Sequence, residues 1–127
     1  MLQLEHKYIL VIDVAEDIRE IVRCSLKNKT YWQVLSANSI AEGLASIEIR
    51  QPDVILLEAT LMDECDPTIW QQLQTIASTQ SVPIIFMASR VRAMDRLKFQ
   101  QLGVATAIAK PFDPKDLVET ISQLLNV

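Results

Sequence analysis

Hydrophobic positions in this chain fall into five short runs that alternate with five stretches of helical spacing. The runs occupy 8–13, 32–36, 54–58, 83–88 and 104–109. The third run anchors the pattern: Val54, Ile55, Leu56 and Leu57 follow one another with no polar break and lead into Glu58. A strand apolar on both faces must be covered on both faces, which predicts a central strand of a parallel sheet. A carboxylate cannot follow such a run inward, so Glu58 should emerge at the strand's carboxyl end, the edge where open α/β sheets gather their ligands. The first run repeats the design, with Ile9, Leu10, Val11 and Ile12 leading into Asp13. Two carboxylates leaving adjacent strand ends would face each other across one crevice.

The intervening stretches read as helices. Ile18, Ile21, Val22 and Leu26 predict a first helix over about 16–28. Ser39 followed by Glu42 is a capping-box pattern and starts a second helix near 40, with Leu44 and Ile47 inward, stopping before Pro52. Residues 59–65 read as an irregular loop. Asp66 before Pro67 starts a third helix, with Ile69, Trp70, Leu73 and Ile76 as its buried stripe. A fourth runs over about 91–102, with Leu97 inward, and Gly103 closes it. Asp113 before Pro114 starts the fifth, with Leu117, Ile121, Leu124 and Leu125 facing in. Trp32 and Trp70 are core candidates. This alternation implies right-handed βαβ units and a doubly wound three-layer sandwich.

Composition narrows the classes of function. With 127 residues, 50% hydrophobic and 22% charged, the chain suits one folded domain, 1–127, with its core over about 8–125. No apolar run approaches the roughly 20 residues of a membrane span, and the N-terminus lacks a signal-peptide block, so a cytoplasmic location is expected. A net charge of −4 argues against nucleic acid as the main partner. Cys24 and Cys65 form no metal-binding spacing and are expected to be idle or buried thiols. His6 stands alone in the N-terminal tail, so neither a metal centre nor a Ser-His-Asp set can be built on it. The only glycines are Gly43 and Gly103, which leaves no phosphate-cradling loop, and the turn after the first run, Asp13 to Asp17, would repel a nucleotide. An enzyme or small-ligand binder on the same architecture is therefore the weaker class.

The motifs together resemble the receiver domain of bacterial response regulators (CheY-like) from about Tyr8 to Leu125. The resemblance is carried by Ile9–Asp13, Glu16–Glu20, Pro52–Leu57, Val82–Ile85, Gly103 and Lys110 to Phe112, in the family's order and spacing. It implies a flavodoxin-like (βα)5 fold, strand order 2-1-3-4-5, and a cis bond between Lys110 and Pro111. In such domains an aspartate ending strand three accepts a phosphoryl group beside magnesium. A hydroxyl residue ending strand four and a strand-five lysine bind the phosphoryl oxygens, and an aromatic on strand five swings inward.

Carried over by position, most of those parts are changed. Glu58 stands at the acceptor, Val14 replaces the second acid of the metal pocket beside Asp13, Ala88 replaces the hydroxyl residue, and Ala107 replaces the aromatic. Asp13 and Lys110 are kept. Glutamate carries its carboxylate about 1.5 Å further out than aspartate, and misplacement by an ångström costs phosphoryl transfer about a hundredfold. The expectation is an atypical (pseudo-)receiver that acts through protein contacts without phosphorylation, with no catalytic residue. No cofactor is expected, and magnesium is held weakly by Asp13 and Glu58 at most. A fixed-on mimic, in which Glu58 pairs with Lys110, is the alternative. The expected partner is a histidine kinase or downstream effector, and the chain is expected to stand alone as a monomer or weak homodimer. The candidate partner face is the fourth helix, where Arg90, Arg92, Arg96 and Lys98 outnumber Asp95 and Phe99 is expected to point outward.

Overall fold

A computed structural model describes residues 6–29 and 31–127. The tail segment 1–5, used in the reading of localisation, lies outside the described residues. Eleven elements follow one another: β1 (Lys7–Ile12), α1 (Glu16–Ser25), β2 (Trp32–Ala37), α2 (Ile40–Ile49), β3 (Val54–Glu58), α3 (Thr60–Glu64), α4 (Pro67–Thr79), β4 (Ile84–Ala88), α5 (Ala93–Gln101), β5 (Thr106–Ala109) and α6 (Pro114–Leu125). The strands form one parallel sheet in the order β2-β1-β3-β4-β5. This is the flavodoxin-like sandwich expected from the pattern and the resemblance.

The period-two geometry of strands splits the apolar runs between two cores. Leu10, Ile12, Ile55, Leu57 and Phe86 face one side, where α2, α4 and α5 cover them through Ile40, Ile47, Trp70, Leu73 and Phe99. Ile9, Val11, Val54, Leu56, Ile85 and Met87 face the other, under Val22 and Leu26 of α1 and Leu117 and Ile121 of α6. Val54 to Leu57 are fully buried, as a strand covered on both faces requires. Gly43 lets α2 lie against β1: a Cβ there would come within 2.6 Å of Ile12 Cδ1. Gly103 sits at φ +80°, the left-handed conformation that ends α5.

The starts of the helices follow their caps. Ser39 accepts from the Glu42 amide at 3.0 Å, Asp66 from Thr68 at 2.7 Å and Asp113 from Lys115 at 2.8 Å. Four expectations need correction. The first helix ends at Ser25 rather than near 28, and Ile21 lies on its exposed side. Residues 60–64 form the short helix α3 rather than a loop, because Leu61 has a buried site to fill. Trp32, a core candidate, is only half-buried, on an edge strand. In α5 the expected orientation is reversed: Leu97 is exposed, whereas Phe99 turns in and meets Phe86 edge to face at 4.8 Å. The inward residues, Val91, Asp95, Phe99 and Leu102, follow a four-four-three spacing that Leu97 does not share.

Candidate functional site: an acid–lysine crevice at the carboxyl edge of the sheet

Three charged side chains meet where β1, β3 and β5 end. Asp13 follows the last residue of β1, and its amide continues the sheet by donating to the Ala37 carbonyl at 3.1 Å. Lys110 follows β5 and donates its amide to the Ala88 carbonyl at 2.7 Å. Glu58 is the last residue of β3. Parallel register therefore delivers all three to one end of the sheet. The bond from Lys110 to Pro111 is cis, as the resemblance implied.

Within the crevice Lys110 Nζ lies 3.0 Å from Asp13 Oδ2 and 3.8 Å from Glu58 Oε1. Only the first is a hydrogen bond. Asp13 is the only buried charged residue among those described, 3% exposed, and its second oxygen accepts from the Ala15 amide at 2.9 Å. Glu58 divides its oxygens in the same way. Oε1 faces Lys110, while Oε2 accepts from the Thr60 amide at 3.0 Å and from the Thr60 hydroxyl. Each carboxylate is thus held by a backbone amide on one side and turned toward one ammonium on the other. Two acids share one cation, and no buried side-chain polar atom among the described residues lacks a partner.

A fourth group fixes the approach to the crevice. Arg19 of α1 donates through Nη1 to the carbonyl of Asp13 at 2.7 Å and to that of Val14 at 3.2 Å. It ties the β1–α1 turn to the helix that follows. The sequence reading passed over Arg19; its place one helical turn into α1, after an acid-bearing strand end, was the available signal.

Of the other carried-over positions, Val14 and Ala88 lie at the same edge and Ala107 lies within β5, and none adds a polar side chain. Val14 is 65% exposed and puts an apolar side chain where a second acid would stand. Ala88 ends β4 buried. Ala107 pairs in register with Phe86 and leaves a cavity of about 300 Å³ between α5 and β5, walled by Arg96, Leu97, Phe99 and Gln100. Among the described residues no three His, Cys, Asp or Glu side chains are placed to share a metal ion. Of the candidate partner face, Arg92, Arg96 and Lys98 are all exposed, at the start of α5 and along it. Phe99 does not join it. Met94 and Leu97 take its place, 82% and 62% exposed.

Comparison with known proteins fits this geometry. The family model described as "Response regulator receiver domain" matches residues 9–122. The phosphate regulon transcriptional regulatory protein PhoB of Pseudomonas aeruginosa is 29% identical over 119 residues, covering 94% of this chain and 52% of PhoB. Response regulator Rre1 of Synechocystis is 26% identical over 117 residues, covering 92% of this chain and 51% of Rre1. The chain thus spans about half the length of the curated relatives it matches. Among solved structures, the chemotaxis response regulator CheY4 of Vibrio cholerae superposes with a TM-score of 0.81 at 20% identity, covering 95% of this chain and 100% of CheY4. A two-component response regulator from Clostridium difficile superposes at 0.80 with 23% identity, covering 95% and 97%. The two structural likenesses speak for the fold; the family match reaches further, and by it this chain belongs to the receiver domains of two-component response regulators.

Proposed function

We propose that this receiver domain works as a protein-interaction module whose surface does not depend on phosphorylation. The observation that carries the reading is the Lys110 ammonium, held at 3.0 Å by Asp13 and facing Glu58 at 3.8 Å. The lysine that would meet an incoming phosphoryl group is already engaged by the domain's own acids. Glu58 is itself anchored to Thr60, and its side chain is one carbon longer than the aspartate of the family's acceptor position. Ala88 supplies no hydroxyl to a phosphoryl oxygen. Magnesium, which the family implies, does not fit this donor set. The ion takes near-octahedral oxygen and several waters, whereas here two carboxylates already accept amide hydrogen bonds, an ammonium lies beside them, and Val14 stands apolar at the rim.

The distances favour this reading over a fixed-on mimic. Lys110 is closer to Asp13 than to Glu58, so the dominant pair is not the one that would imitate a phosphorylated acceptor. The partner is a signalling protein, a kinase or an effector, that presents acidic and apolar groups to α5. There Arg92, Arg96 and Lys98 surround the exposed Met94 and Leu97. The test is capture of the partner from the source organism by the parent and by Arg96→Glu, each with and without magnesium and a small phosphodonor. The reading requires that Arg96→Glu reduce capture and that the phosphodonor leave it unchanged. Capture that appears only with the phosphodonor would overturn it.

A further inference from the structure

On the side of the molecule covered by α2 and α4, the surface changes character. In a chain with 22% charged residues, α4 carries none across its 13 positions, and no charge occurs from Pro67 to Ser89. The part of this stretch within β4 is buried and needs no charge, but the outer side of α4 is open to solvent. It consists of Thr68, Gln71, Gln72, Thr75, Ser78 and Thr79, all exposed. A solvated helix face ordinarily carries charges, and their depletion is the compositional mark of the centre of an interface.

Beside this helix, α2 exposes Ala41, Ala45 and Ile49 at a spacing of four, with Ile49 87% exposed. Between the two helices runs a groove of about 420 Å³, with Leu44 and Ile76 along it and Gln71, Gln72 and Thr75 on its α4 bank. Glu48 is its one acid.

We infer that the α2–α4 face is a self-association surface and that its occupant is a second copy of this chain. The argument is electrostatic. A two-fold contact sets each patch against itself, so a patch with one sign of charge repels its own copy. The exposed side of α1 carries Glu16, Asp17 and Glu20 against Arg23, which pairs with Glu20, and that of α5 carries Arg96 and Lys98. Both faces carry an excess of one sign and oppose self-pairing. The α2–α4 face has a single charge along its groove, Glu48, and opposes it least. Its glutamines and threonines each carry donors and acceptors and can satisfy their own kind across the axis. Burial of Leu44, Ile49 and Ile76 supplies the apolar part. The size sets the strength. Two neighbouring helices of about 20 Å cover about 400 Å² per copy, half of a standard interface of about 800 Å² per partner. The dimer is therefore weak and dependent on concentration. This surface is separate from the α5 face, and the inference stands whether or not that face binds a signalling partner.

The experiment is sedimentation equilibrium on the intact chain up to about 1 mM, the range in which an interface this small is read. Two charged variants accompany it, Gln71→Glu with Thr75→Glu, and Gln71→Lys with Thr75→Lys. All four substitutions fall on exposed positions of α4, and thermal melts confirm that the fold is kept. The parent should show a monomer–dimer equilibrium, each charged variant alone should remain monomeric, and an equal mixture of the two should restore dimers. Ile49→Ser, on the other helix, should weaken association at least about tenfold, the order expected when a buried aliphatic anchor is lost. A parent that stays monomeric throughout overturns the inference. So do charged variants that associate like the parent, or a mixture that fails to recover.

Discussion

The acid–lysine crevice and the surface of α5 handle charge in opposite ways. In the crevice, Asp13, Glu58 and Lys110 turn toward one another, and the amides of Ala15 and Thr60 complete the acids' hydrogen bonding. On α5 the cations point outward, no residue of the helix is fully buried, and two large apolar side chains lie open between them. The first region satisfies its charges within the domain, and the second leaves them in solvent. Burial explains the contrast. A charge close to the sheet must find a partner within the domain or be expelled, while a charge on a helix surface costs little until something docks against it. A receiver-type domain that seals its crevice and keeps an open basic helix is, on the proposed reading, a contact surface on a fixed scaffold.

That comparison can be broken first at the joint between the two regions. Phe99 holds α5 to the sheet through Phe86, which in turn touches Trp70 of α4 at 6.0 Å. Phe99→Ala should destabilise the fold by about 2–4 kcal/mol, somewhat less than a fully buried aromatic because Phe99 is half-buried. It should also loosen α5, read as faster amide exchange in 93–101 than in β3. Uniform exchange across both would show that α5 is not held by this contact.

A smaller effect is expected within the crevice. Lys110→Ala strands the buried Asp13 carboxylate and should cost about 1–3 kcal/mol. Glu58→Gln keeps shape and hydrogen-bonding capacity, and Lys110 retains its closer partner, so the loss there should stay below about 1 kcal/mol. Denaturant melts of the two variants rank them. Equal losses would mean that Lys110 is not the residue that settles the crevice.

The smallest effect lies at the start of α4. The amide of Thr68 donates to Asp66 and holds its carboxyl below the ordinary value of 3.8. Because the folded value is depressed, the stabilisation is fully present above 3.8 and is lost as pH falls through the lowered value. Asp66→Asn, which caps without titrating, should flatten that limb of the acid melt slightly while leaving neutral stability nearly unchanged. A limb that stays as steep would assign it to other carboxylates.

Much of this was legible from residue order because burial and strand period act locally. Val54 to Leu57 announced a central strand, and the positions of Asp13, Glu58 and Lys110 after apolar runs placed them at one edge. Sequence order does not specify which acid the lysine prefers. Three strands converge with their own twist, and Asp13 ends nearer to Lys110 by 0.8 Å (3.8 − 3.0). The short helix α3 was missed because five residues show barely more than one helical turn of pattern. Its first turn depends on the Glu58 carboxylate accepting from Thr60, a contact made only once the strand end is in place. The orientation of α5 was misread for a related reason. Leu97 is more apolar than its surroundings, but the residues that reach Phe86 and the end of α4 are those on the Val91, Phe99 and Leu102 stripe.

The central claim is that Glu58 and its neighbours do not take up a phosphoryl group. Incubation of the intact chain with a small phosphodonor and magnesium, followed by intact-mass measurement and peptide mapping, tests it directly. The account predicts an unchanged mass and an unmodified peptide around Glu58. Stoichiometric addition of a phosphoryl group at Glu58 would contradict it.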